Sequence, residues 1–231
     1  MGPESKRRAP LTRAAVLAAA VALADRDGLD AVSMRNLAQE LGVVPMALYK
    51  HVANKDELLD GMADAIVAEI DPPRADLGWK QALRGRIQSA RDVMLRHRWA
   101  SRVLATRTQP SPVVLAGLDA VIATLLAGGL SPGLIHQVMH TLGSRLWGFN
   151  VEVFPSPPPP ADPAERERLL AQLGAVFPHV LVVAGAARHR PDAIVGDGCD
   201  DNAEFAFGID LVLDGIERLH RAEAASPQPP G

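Results

Sequence analysis

The chain has 231 residues and a mass of 24.6 kDa, enough for one larger domain or two small ones. Hydrophobic residues make up 48% and charged residues 22%, which excludes global disorder; aromatics at 4% argue against a β-sandwich or barrel, and the lone Cys199 excludes an intrachain disulfide framework. The net charge of −3 does not suggest a nucleic-acid binder, yet residues 1–55 hold eight Lys/Arg against five Asp/Glu, or +3, and leave −6 for the remainder. A basic head on an acidic body suits a polyanionic partner for the head alone.

Residues 1–10 read as a flexible basic arm carrying Lys6, Arg7 and Arg8. The apolar run Ala14–Ala24 imitates a secretory signal, but Arg13 interrupts it and most of it is alanine. Eleven apolar residues also fall short of the roughly 20 that span a bilayer, so no membrane contact is expected and a cytoplasmic location is. Thr12 caps a helix to about Asp27 with the face Leu17, Ala20, Val21 and Ala24, stopped by Gly28. Ser33 caps a second helix to Glu40, Gly42 breaks it, and a third runs from about Val44 to His51. Asn54, with Glu57 three residues on, opens a fourth helix that carries Leu58, Met62, Ile66 and Ile70 and ends at Pro72-Pro73.

Further helices are expected over Leu77–Arg98, Val113–Ala127, Ser131 to about Val153, Pro163–Leu173, Val176–Arg188 and Asn202 to about Ala222. Loops are expected at 154–162 and 189–201, and a frayed tail at 223–231. No strand alternation appears, so the fold is expected to be all-α. Residues 11–70 form an N-terminal domain, joined by helix four to a helical bundle at 77–222. Helix four leaves the head and enters the body, so by the sequence it alone carries a message between them.

Residues 32–52 pattern as a helix-turn-helix. Ala38 is small where two helices must touch, Gly42 permits a left-handed turn, and Leu37, Leu41, Leu48 and Val52 supply the inner face. Val44, Met46, Lys50 and His51 then face outward with Tyr49 on the flank. An ordinary helical hairpin shares this spacing; the basic arm and the Tyr-Lys-His cluster favour phosphate contact.

The run from Val32 to Leu59 (VSMRNLAQELGVVPMALYKHVANKDELL) resembles the N-terminal domain of the TetR family of transcriptional regulators, above all in Leu48-Tyr49, His51-Val52 and Asn54-Lys55. The resemblance covers residues 11–70 and continues more weakly to about 222 as a tetracycline-repressor-like domain. It implies a homodimer that binds double-stranded palindromic operator DNA and lets go on binding a small-molecule effector. From the residues, no cofactor and no resident metal are expected. By the resemblance Arg35, on the helix that Ser33 opens, reaches a base edge. Tyr49, His51 and Lys55 contact the DNA backbone or brace the helix, and Val44, Pro45, Met46 and Lys50 vary with operator sequence. Apolar Val44 and Met46 suit thymine methyls and do not read donors or acceptors.

Two helices carry 4-3 apolar spacing: Ile135, Met139, Leu142, Leu146, Phe149 and Val153 in one, Phe205, Ile209, Val212, Ile216 and Leu219 in the other. Such seams serve burial within one subunit or between two; the resemblance assigns this pair to an intersubunit four-helix bundle. A second stripe on the last helix, Phe207 and Leu211, suggests that it buries two faces.

Tetracycline binders hold a metal-chelated drug with a His, an Asn and a Glu. Matched on Trp79 and His97-Arg98, the His position is Leu104, the Asn is Arg86, and a pocket Phe is Ala90; matched on Gly143 and Gly148, the Glu position keeps Glu152. The expected effector region is therefore Arg86, Ala90, Leu104, His136, Met139, Trp147 and Glu152, and its ligand is not Mg2+-tetracycline. His136 and His140 lack the Glu of a zinc-protease motif, and no nucleophile elbow, Walker A loop or dinucleotide fingerprint is present. A helical small-molecule-binding or enzymatic protein, and a ligand-blind or activating TetR-like regulator, remain the alternative readings at this point.

Overall fold

The computed structural model describes residues 10–107, 109–146, 162–180, 182 and 201–225. Every regular element among them is helical: α1 Arg13–Asp27, a single 3-10 turn Leu29–Ala31, α2 Met34–Leu41, α3 Pro45–Leu48, α4 Lys55–Ala68, α5 Trp79–Arg96, α6 Ala100–Ala105, α7 Pro112–Ala127, α8 Pro132–Leu146, α9 Pro163–Val176 and α10 Asp201–Ala225. The chain divides after Gln137 into two compact units.

Caps set the helix starts in the first unit. The Thr12 hydroxyl accepts from the Ala15 amide at 3.1 Å, Ser33 from Asn36 at 3.1 Å, and Asn54 from Glu57 at 2.8 Å. Glu57 in turn accepts from the Ala53 amide at 2.7 Å, so the start of α4 is held in both directions. Replacing Asn54 by Ala should cost about 1 kcal/mol, read as a lower denaturant midpoint with an unchanged slope.

Gly42 ends α2 at φ 61, ψ 40, the left-handed conformation that a side chain resists. That turn throws α3 across α2. Gly61 does different work: a Cβ there would meet Leu17 Cδ2 at 2.6 Å, so its bare backbone lets α4 lie close on α1.

One core joins these elements. Val16, Ala20, Leu23 and Ala24 of α1, Leu37 and Ala38 of α2, Leu48 of α3, and Leu58, Met62 and Ile66 of α4 share it with Val93 and Met94 of α5 and Val103 of α6. At its margin Arg26 of α1 pairs with both carboxylate oxygens of Glu40 on α2, at 3.1 and 3.0 Å. Arg26 holds the exposed Glu40 below the usual carboxylate range. The stabilisation this pair adds is therefore present at neutral pH and fades only as acid protonates Glu40.

α1, α2, α4, α5 and α7 lie within a few residues of their expected ranges. α3 is shorter than expected, ending at Leu48 and continuing as a turn through His51. α6 was not expected: Ala100–Ala105 follows directly on a helix that stops at the cap His97, with no Gly or Pro to announce the break. α8 is described to Leu146, so its expected extension to Val153 lies outside the described residues, as do all but the last residue of the expected 154–162 loop, most of the expected helix Val176–Arg188, residues 189–200 of the expected 189–201 loop and 226–231 of the expected 223–231 tail; α10 runs on to Ala225, three residues into that tail. In the second unit Val138 and Leu142 of α8 are buried, as are Phe205, Ile209, Leu213 and Ile216 of α10.

Candidate functional site

The buried face of the head determines what its outer face shows. Leu37, Ala38, Leu48 and Val52 anchor α2, α3 and the following turn in the core. Val44, Pro45, Met46, Tyr49 and Lys50 consequently project outward, Val44 at 67% and Met46 at 71% exposure, while His51 is half-buried. Arg35 on α2 and Lys55 in the first turn of α4 are also exposed. The Ser33 hydroxyl already accepts the Asn36 amide and so is a cap first. The arm Lys6 to Arg8 lies outside the described residues.

α4 connects this head to the rest of the first unit, packing on α1 at one side and on α6 and α7 at the other. Polar bonds run along its length. Arg107, after α6, donates to Asp60 at 2.6 Å, the Ser111 cap of α7 donates to Asp64 at 2.5 Å, and Arg96 of α5 pairs with Glu69 at the end of α4.

α4 is not, however, the sole link. The end of α1 is bonded directly to the corner between α5 and α6, where His97 Nδ1 and Trp99 Nε1 both meet Asp25. The sequence expectation that helix four alone bridges head and body is corrected by this contact. It was invisible because it joins residues more than seventy apart at a helix boundary that the periodicity did not reveal.

The expected effector residues divide. Ala90 and Leu104 are half-buried against the core shared with the head. Arg86, one turn before Ala90, donates from Nη1 to the Asp71 carbonyl at 2.9 Å and lies against α7, where a Cβ on Gly117 would meet Nη2 at 2.8 Å. Burial pushes its guanidinium pKa down, and its donor to Asp71 closes the loop between α4 and α5. Ser89 completes that closure, accepting from the Asp71 amide at 2.9 Å and donating to its carboxylate at 3.0 Å. His136 is exposed and Met139 half-buried; Trp147 and Glu152 lie outside the described residues.

The expected interface residues also divide. Ile135, Leu142, Phe205, Ile209 and Ile216 are buried within a single chain, and Val212 is half-buried. A side chain already buried in one chain has little surface left to offer a second. Leu219, also expected at the interface, is exposed and continues the second stripe of Phe207 and Leu211, joined at the helical spacing of four by Gly215. Leu146 ends α8, with its side-chain surroundings outside the described residues.

Residues 16–62 match the family model for bacterial regulatory proteins of the tetR family, and residues 72–220 match the tetracyclin repressor-like C-terminal domain. The chain belongs to the TetR family. Among its TetR relatives, the HTH-type transcriptional repressor DrrR1 of Streptomyces coeruleorubidus is 30% identical, over 96% of this chain and 84% of its own length. The tetracycline repressor protein class A from transposon 1721 of Escherichia coli is also 30% identical, over 88% of this chain and 89% of its own. The Streptomyces coelicolor TetR family protein ActR, solved in complex with actinorhodin, superposes with a TM-score of 0.68 at 26% identity, covering 90% of this chain and 96% of ActR.

Like its TetR relatives the chain is a ligand-responsive, DNA-binding transcriptional repressor and not an enzyme. No helix among the described residues is long and apolar enough to cross a membrane.

Proposed function

We propose that two copies of this chain pair in the cytoplasm through the exposed face of α10 and read a palindromic operator with their two α3 helices. The observation that carries this reading is the exposure of Val44 and Met46 at the start of α3, beside a fully buried Leu48. Large apolar side chains held out in water suit a surface that thymine methyl groups cover. Around them Arg35, Tyr49, Lys50, His51 and Lys55 supply donors for phosphates and base edges.

Replacing Lys55 by Ala should weaken binding to every duplex alike and flatten the salt dependence by about one unit of slope. Arg35→Ala should instead cost roughly 1–3 kcal/mol on the preferred duplex and relax one base position. Titration against the preferred and a scrambled duplex at several salt concentrations separates the two. Equal losses on both duplexes for Arg35→Ala would remove its base-reading role.

The effector is a small molecule other than Mg2+-tetracycline. Leu104 stands where the tetracycline binders place a metal-ligand His, and it packs against the core beside α4. Arg86 stands at the Asn position with one donor committed to Asp71, and the pocket Phe is Ala90. Tetracycline with Mg2+ should leave the protein–DNA complex intact in a mobility-shift assay. Release that a chelator abolishes would overturn this reading.

A further inference from the structure

Asp25 lies in the last turn of α1, where a negative charge meets the negative end of the helix dipole. Two donors from the body compensate it. His97 Nδ1 lies 2.8 and 3.0 Å from its carboxylate oxygens, and Trp99 Nε1 donates to Oδ1 at 2.6 Å. A carboxylate only accepts, so Nδ1 carries the proton in this contact.

Both rings are buried, His97 at 5% exposure, and they meet edge to face with centroids 6.1 Å apart. The other ring nitrogen of His97 faces Glu69 Oε2 at 3.3 Å, at the far end of α4, where Arg96 also pairs. From the same corner Arg102 donates to Asp30 in the turn after α1, at 3.0 Å. One short stretch, residues 97–102, therefore grips the end of α1, the turn beyond it and the end of α4.

We propose that His97 and Asp25 are positioning residues for operator recognition: a latch that fixes the angle of the head, and so of α3, on the rest of its unit. The core that α1 to α4 share with α5 and α6 holds the head on its unit, but apolar packing is non-directional. A directional polar contact at the C-terminal end of α1 fixes the angle that this packing leaves free. In a pair of copies the head angle sets the distance between the two α3 helices, which must match successive major grooves about 34–36 Å apart. The latch thus acts on spacing, not on any base contact, and Leu104 on α6 and Arg107 just after it continue from it toward α4. This inference rests on the paired, palindrome-reading state proposed above.

The test uses the full chain and a duplex that the wild-type protein selects from a random pool, with derivatives lengthened by one and two base pairs at the centre. Affinities are compared for wild type, Asp25→Asn, His97→Gln, the double variant and His97→Asn. Asparagine can present its amide near the place of Nδ1, whereas glutamine reaches toward Glu69. Asp25→Asn and His97→Gln should each narrow the preference for the selected spacing by about tenfold, the scale of one lost charge-assisted hydrogen bond. The double variant should go no further, His97→Asn should restore most of the preference, and thermal midpoints should stay near wild type.

An unchanged spacing preference in Asp25→Asn and His97→Gln would overturn the latch while leaving the paired reading intact. Losses that appear equally on every duplex, or that follow a fallen thermal midpoint without rescue by His97→Asn, would reduce it to a structural contact and overturn it as well. A wild-type protein indifferent to spacing would overturn the paired reading and the latch together.

Discussion

Leu211→Asp is expected to turn the proposed dimer into monomers and to cost at least about a hundredfold in operator affinity, the scale of lost avidity when two linked heads become one. Leu211 is 57% exposed and Phe207, one turn earlier, is 67% exposed. An aspartate at 211 therefore costs the isolated chain little, because it sits in water there. In a pair it would lie on the apolar stripe between Phe207 and Leu219, and desolvating a carboxylate there costs several kcal/mol.

Ile216 provides the contrast. It is 6% exposed within one chain, so Ile216→Asp should unfold the second unit and not merely separate two folded copies. Sedimentation distinguishes the outcomes: Leu211→Asp should give folded monomers with native helical circular dichroism, and Ile216→Asp a loss of helix signal. A Leu211→Asp chain that stays dimeric and binds DNA like wild type would move the interface elsewhere.

The head was the most legible part of the chain because its signals are local. Thr12, Ser33 and Asn54 each cap the helix they open, Gly42 takes the left-handed turn, and Leu48 faces in while Met46 faces out. Each of these depends on residues within one or two turns of sequence.

The body was less legible for two physical reasons. In α10 the apolar residues occupy more than one stripe, and spacing does not tell which stripe a single chain buries. The structure buries Phe205, Ile209, Leu213 and Ile216 and leaves Phe207, Leu211 and Leu219 outside. At the α5–α6 corner, polar contacts set the geometry between distant segments, and polar side chains carry no periodicity. Asp25 carries no signal of its own in the sequence and Arg86 reads as a pocket residue, whereas the fold partners Asp25 with His97 and Trp99 and Arg86 with Asp71.

The same division between inner and outer faces makes Leu48 the position where the smallest change should do the most damage to the head. Leu48 is fully buried and is the sole residue of α3 among the largest core side chains; its neighbours Met46 and Tyr49 point to solvent. A helix of four residues has almost no stability of its own, since nucleating a turn costs more than its few hydrogen bonds return. α3 is consequently held in place by Leu48, with Val52 just beyond it, and by the Gly42 turn before it.

Leu48→Ala should destabilise the chain by about 2–5 kcal/mol, from lost burial and from the cavity left among Leu37, Leu58 and their neighbours. Against a typical total of about 5–15 kcal/mol, that is a large share. It should lower the thermal midpoint by several degrees and speed amide exchange first in α2 and α3. Operator affinity should fall even at temperatures where α4 and α5 remain protected, because α3 no longer holds one orientation. Leu48→Met, which keeps most of the volume, should cost under about 1.5 kcal/mol and retain DNA binding. If Leu48→Ala leaves both the midpoint and the operator affinity unchanged, α3 is anchored by something other than its buried leucine.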